Sequence, residues 1–139
     1  MCGIALRWLL PGILGLAAGC GYSATTSTPP PPPPTPSAND IDIVLGAQTK
    51  GSGAFDPNPK TLSLGNAATV DVRWVNNDVS SSYNGSTSVT HHIVSDDGTS
   101  FDTGLLGGNA TSTKSLAAGT YHYHCAIHPT MVGTVIVNP

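Results

Sequence analysis

The sequence predicts an all-β domain, a Greek-key β-sandwich or barrel of about seven to eight strands. Three observations carry this prediction. Short apolar or alternating runs recur from Asp40 to the last residue, and Gly, Asn, Asp and Pro punctuate the gaps between them. No stretch of about a dozen residues has the helical period. The 139 residues suit one domain, and residues 40–139 are enough chain for one modest core.

Taken in order, the chain opens on a targeting pattern. Arg7 gives a short positive start, residues 8–18 are almost wholly apolar, and Leu16-Ala17-Ala18-Gly19 places small residues before Cys20. Residues 1–19 read as an export signal and stay out of fold reasoning. The small-small-Cys ending resembles a bacterial lipobox, which makes Cys20 the expected lipidation site and the mature N-terminus. An ordinary secretory signal and an uncleaved anchor are the alternatives, although the run is short and rich in Gly and Pro for a spanning helix. All three readings export the domain, and the first holds it on the periplasmic or cell-surface face of a bacterial membrane. Residues 20–39 then form a linker. Six prolines, Pro29 to Pro34, followed by Thr35 and Pro36, favour an extended polyproline II stalk.

The strands follow. Ile41, Ile43 and Leu45 alternate with Asp42, Val44 and Gly46. Residues 61–64 and 69–75 are strand-like, the second with Val70, Val72 and Trp74 on one face. Residues 79–88, rich in Ser with Tyr, Asn, Gly and Thr, read as a surface loop. Residues 89–95, 111–116, 120–126 and 132–137 complete the set. Trp74 is expected in the core, and Tyr121 as a tyrosine corner.

Charge and cysteine content narrow the function classes. The mature chain has eight Asp, no Glu, three Lys and one Arg, a net charge of about −4. The lack of a basic patch to neutralise phosphates argues against a nucleic-acid partner. Cys2 leaves with the signal and Cys20 is assigned to lipid, so Cys125 is the one cysteine left in the domain. No disulfide forms within such a chain, and a lone thiol in an oxidising compartment is a liability unless a metal occupies its sulfur.

A metal site is written into Cys125-Ala126-Ile127-His128-Pro129-Thr130-Met131. In Tyr121-His122-Tyr123-His124-Cys125, strand alternation puts the tyrosines on the face of Cys125 and sends His122 and His124 outward. Pro129 ends the strand, and a short loop can turn His128 and Met131 back to the Cys125 sulfur. A second imidazole must come from His91 or His92. Two imidazoles, a thiolate and a weak thioether describe a blue-copper site, one type 1 copper per chain; zinc would gain little from the thioether. Each of these residues alone is more often packing than ligand; their spacing together is what carries the reading.

These motifs resemble the cupredoxins, and the C-x-x-H-x-x-M spacing is similar to amicyanin and amicyanin-like members of the plastocyanin family. Gly119-Thr120-Tyr121-His122-Tyr123-His124-Cys125, Gly133-Thr134-Val135-Ile136-Val137, Trp74-Val75-Asn76-Asn77-Asp78 and His91-His92-Ile93-Val94-Ser95-Asp96-Asp97-Gly98 share the likeness. The resemblance implies a cupredoxin-like fold and selects His91 over His92 as ligand, with His128, Cys125 and Met131. It puts His92 where the family has Asn or Thr, its backbone N–H aimed at the Cys125 sulfur. Thr90 stands where the family usually has Pro, and residues 79–88 are an insertion. The implied function is a one-electron shuttle, not an enzyme, whose redox donor and acceptor dock near His128. It is expected to be a monomer tied to the membrane through its lipid. The rival class is a copper storage or delivery protein; a metal-free adhesion domain is a third. No H-E-x-x-H or G-x-S-x-G arrangement points to hydrolytic chemistry.

Overall fold

The fold, taken from a computed structural model, is described for residue 32, residues 34–82 and residues 85–139. The assigned export signal, Cys20 and most of the proline stalk lie outside the described residues. Eleven strands and two 3-10 turns make up the described chain, with no α-helix among its residues. The strands are β1 (Asp40–Ile43), β2 (Phe55–Asp56), β3 (Lys60–Ser63), β4 (Val70–Asn76), β5 (Val79–Ser82), β6 (Gly85–Ser88), β7 (His91–Ser95), β8 (Asp102–Leu106), β9 (Thr111–Leu116), β10 (Gly119–Cys125) and β11 (Val132–Asn138).

Two open sheets build the domain, in the orders β2-β1-β4-β9 and β3-β11-β10-β7-β8. The pair of expectations, sandwich or barrel, thus resolves to a sandwich. Strands β1 and β4 pair in parallel, as do β3 and β11; the remaining contacts in these two sheets are antiparallel. Inward residues of both sheets fill one core, including Ile41, Ile43, Val72, Trp74, Ile93, Tyr123, Val135 and Val137. Trp74 and Tyr123 meet edge to face at 5.7 Å, and Phe101 and Phe55 close on them at 4.7 and 4.9 Å. Such aromatic pairs add about 0.5–1.5 kcal/mol beyond the area they bury. The Tyr121 hydroxyl donates to the Ala117 carbonyl at 3.0 Å, the corner expected from its position.

Several elements differ from the sequence expectation. The first strand stops at Ile43, and Leu45 is 54% exposed. Gly46 turns the chain there in the left-handed region, φ 71°, and hands its N–H to the Asp78 carboxylate at 2.7 Å. Residues 79–88 are not a plain loop: β5 and β6 pair antiparallel as a separate two-stranded sheet. The edge strand β8 and the two-residue β2 carry no apolar alternation that would mark them in the sequence. At the start of the domain, the carbonyls of Thr35 and Ala38 accept bonds from Arg73 and Lys60, both 2.6 Å.

Candidate metal centre

Strand β10 delivers the thiol. Its residues alternate as the pleat requires, with Tyr123 and Cys125 fully buried and His122 exposed. His122 bonds Thr134 and His124 bonds Asp96, at 3.1 and 2.6 Å, so both outward imidazoles are occupied at the surface. The neighbouring β7 pairs with β10 through Cys125 and Ile93 and alternates in phase. His91, Ile93 and Ser95 point in; His92 and Val94 do not. This phase divides the two adjacent histidines: the His91 ring is buried beside Cys125, while His92 Nε2 meets Asp102 at 2.6 Å.

Beyond Cys125 the chain closes on itself. The Cys125 N–H donates to the Met131 carbonyl at 3.0 Å, and the Met131 N–H to the His128 carbonyl at 2.9 Å. This tight return brings His128 over the sulfur. His91 Nδ1 lies 3.8 Å and His128 Nδ1 3.7 Å from Cys125 Sγ, and the three donor atoms all fall within 4.8 Å of one another. Met131 is fully buried at the end of the same loop. His128 is half-buried and Ile127 is 45% exposed, so the site reaches the surface at one edge.

The backbone of His92 grips the loop from below. Its N–H points at Cys125 Sγ at 3.4 Å, and its carbonyl accepts the Ala126 N–H at 2.7 Å. The bond to sulfur is the one implied by resemblance. The His92 side chain, turned to Asp102, does not latch the ligand loop.

The surroundings tune the thiol. Burial pushes Cys125 up, but the His91 imidazole and the N–H groups of His92, His128 and Ile127 outweigh it, and its pKa falls from 9.0 to about 6. Burial pushes His91 down, and Cys125 and Asp78 override that, so its pKa is raised above the ordinary imidazole value. A sulfur poised as thiolate beside two imidazole Nδ1 atoms and a buried thioether fits a soft, imidazole-tolerant ion. His91, Cys125, His128 and Met131 thus form a cluster suited to one type 1 copper ion.

Sequence reasoning missed Asp78. Its Oδ2 lies 3.0 Å from His91 Nε2, with the His91 side chain wholly buried and that of Asp78 3% exposed. Asn76, also fully buried, holds Asp78 in place: its Oδ1 accepts the Asp78 N–H, and its Nδ2 donates to the carbonyls of Val89 and Leu106. The available signal was an acidic residue just past a core strand, in a stretch already matched to the family.

Solved structures place this architecture. The chain is similar to a purple cupredoxin from Nitrosopumilus maritimus, at 26% identity over 71% of this chain and 98% of that one, TM-score 0.56. A reduced Cu(I) amicyanin variant at pH 4 matches at 20% identity over 75% and 85%, TM-score 0.52. A copper-containing nitrite reductase from Thermus scotoductus matches at 25% identity and TM-score 0.54, over 76% of this chain and 23% of the enzyme. No family model and no curated protein matches the sequence. Fold and site together make this a cupredoxin-like protein.

Proposed function

We propose that the protein is an exported, membrane-anchored blue-copper electron carrier that cycles Cu(II)/Cu(I) between redox partners. One observation carries the reading: two Nδ1 atoms and the Cys125 sulfur converge within 4.8 Å, with Met131 buried on the same loop. Bound copper supplies the one-electron couple. The chain supplies the donor set, of which His91, Cys125 and Met131 are fully buried. Only His128 approaches solvent, flanked by exposed Ala126, Ile127, Pro129 and Thr130. That rim is the proposed docking face for donor and acceptor. The likeness to a purple cupredoxin, above the likeness to amicyanin, supports the copper assignment. The match to nitrite reductase spans under a quarter of that enzyme. The anchor rests on the small-small-Cys pattern at Cys20 and the proline stalk behind it.

The test is to add Cu(II) to the metal-free protein and record visible and electron-spin spectra. An intense visible thiolate-to-copper band, narrow copper hyperfine splitting and reversible one-electron reduction support a carrier. A colourless or ordinary cupric spectrum sinks it, and a coloured site that cannot be reduced and reoxidised points to storage or delivery. For the anchor, metabolic labelling with a radioactive fatty acid is expected to mark the wild type and not Cys20→Ala.

A further inference from the structure

We propose that Asp78 is a positioning residue of the metal centre: its buried carboxylate holds His91 with Nδ1 facing the sulfur and biases the site toward the more positive copper ion. The inference rests on the copper reading above. The geometry is specific. An ionised carboxylate only accepts, so the 3.0 Å contact between Asp78 Oδ2 and His91 Nε2 favours the neutral tautomer with its proton on Nε2, and leaves Nδ1 facing Cys125 Sγ. The other oxygen, Oδ1, accepts the Gly46 N–H at 2.7 Å. Both oxygens therefore face donors.

Asp78 is itself fixed from three directions. Its N–H donates to Asn76 Oδ1 at 3.0 Å, its carbonyl accepts the Val89 N–H at 3.1 Å, and Gly46, in the left-handed region at φ 71°, donates its N–H to Oδ1. A carboxylate so placed, out of water and one imidazole away from the metal position, acts in two ways. It fixes the ring orientation and tautomer and raises ligand basicity. Its negative charge, poorly screened at 3% exposure, favours the divalent over the monovalent ion. A carbonyl in that place would orient the ring without the charge. The surface carboxylates Asp96 and Asp102 also meet histidines, at 2.6 Å each, but they are 51% and 62% exposed and screened by water.

Asp78→Asn is the informative variant. An amide has one acceptor oxygen, so it must set its NH2 against either Gly46 N–H or His91 Nε2–H. The ratio of Cu(II) to Cu(I) affinity is expected to fall about tenfold, which is a rise of 59 mV in a one-electron potential. Asp96→Asn and Asp102→Asn should each shift that ratio less than about twofold. Because Asp78→Asn can weaken the fold, nitrogen NMR of the metal-free wild type at alkaline pH supplies a second arm. It should show the His91 proton on Nε2, slow to exchange with solvent. An unchanged potential in a folded Asp78→Asn protein, or a wild-type His91 proton on Nδ1, overturns the proposal. A wild type that forms no coloured site refutes the copper reading and the role of Asp78 in the potential, while the NMR arm still reports whether Asp78 holds His91.

Discussion

Gly133→Ala tests whether the two strands that carry the loop pack as described. Gly133 on β11 sits directly opposite Tyr123 on β10. A Cβ at Gly133 would lie 2.3 Å from Tyr123 Cζ, 2.4 Å from Oη and 2.6 Å from Cε2. Carbon atoms in contact prefer about 3.5–4.0 Å, so the ring must retreat by more than about 1 Å. It has nowhere to go, because Tyr123 is fully buried and hemmed in by Phe55, Trp74 and Phe101. Overpacking of this kind destabilises by about 1–3 kcal/mol. At about 4–8 °C per kcal/mol for a domain of this size, a loss near 2 kcal/mol lowers Tm by about 8–16 °C. The assay is thermal unfolding of the metal-free protein followed by circular dichroism. Gly107→Ala, where an added Cβ meets nothing within 4 Å, serves as the control and should leave Tm nearly unchanged. In a Tyr123→Ala background the second substitution should add no further loss, since the clash is gone. A Gly133→Ala protein as stable as wild type would refute the packing argument, because strand propensity alone predicts a small gain from alanine.

Three further outcomes are expected. The His122→Ala/His124→Ala protein should bind copper in the same ratio and with the same visible spectrum as wild type, because both imidazoles are committed to Thr134 and Asp96 at the surface; loss of the band would place one of them in the site. Ultraviolet titration of the metal-free protein should find the Cys125 thiolate appearing with a midpoint near about 6 instead of 9.0. The sign follows from donors that favour the charged form, so the thiolate predominates at neutral pH, and a midpoint above the ordinary thiol value would contradict the geometry. Asn76→Ala should lower unfolding stability by about 1–3 kcal/mol in a denaturant titration, since it strands the Val89 and Leu106 carbonyls and the Asp78 N–H in the core; a neutral result would show that those groups find other partners.

The parts of this molecule legible in the sequence are those written in local periodicity. Alternation along residues 120–126 set Tyr123 and Cys125 inward and His122 and His124 outward, as the burial of β10 has it. Val72 and Trp74 shared a face, and both are wholly buried. What local pattern could not reveal was either polar on both faces or made by distant segments. Among its described residues the hairpin β5–β6 has Val79 as its one apolar side chain, with Ser, Thr and Gly elsewhere, so it has no apolar phase to detect; Asn84-Gly85 is the hairpin signal that the sequence does carry. The strand β8 begins Asp102-Thr103-Gly104 and lies at a sheet edge, with little to distinguish it from a turn. Leu45 continued an alternation on paper, but the left-handed Gly46 ends the strand first. Asp78 meets His91 across 13 residues and Gly46 across 32, contacts that only the folded chain defines.

The grip of the His92 backbone on the ligand loop has a consequence for how such a protein can change. Four bonds that frame residues 125–131 run through main-chain atoms or the sulfur: His92 N–H to Sγ, Ala126 N–H to the His92 carbonyl, Cys125 N–H to the Met131 carbonyl, and Met131 N–H to the His128 carbonyl. None depends on the side chains of Ala126, Ile127 or Thr130, which all face solvent. These three positions are therefore free to be rewritten. A lineage can respecify what its rim recognises, letter by letter, while the metal cradle beneath keeps its shape, much as a key may be recut without altering the bow that holds it.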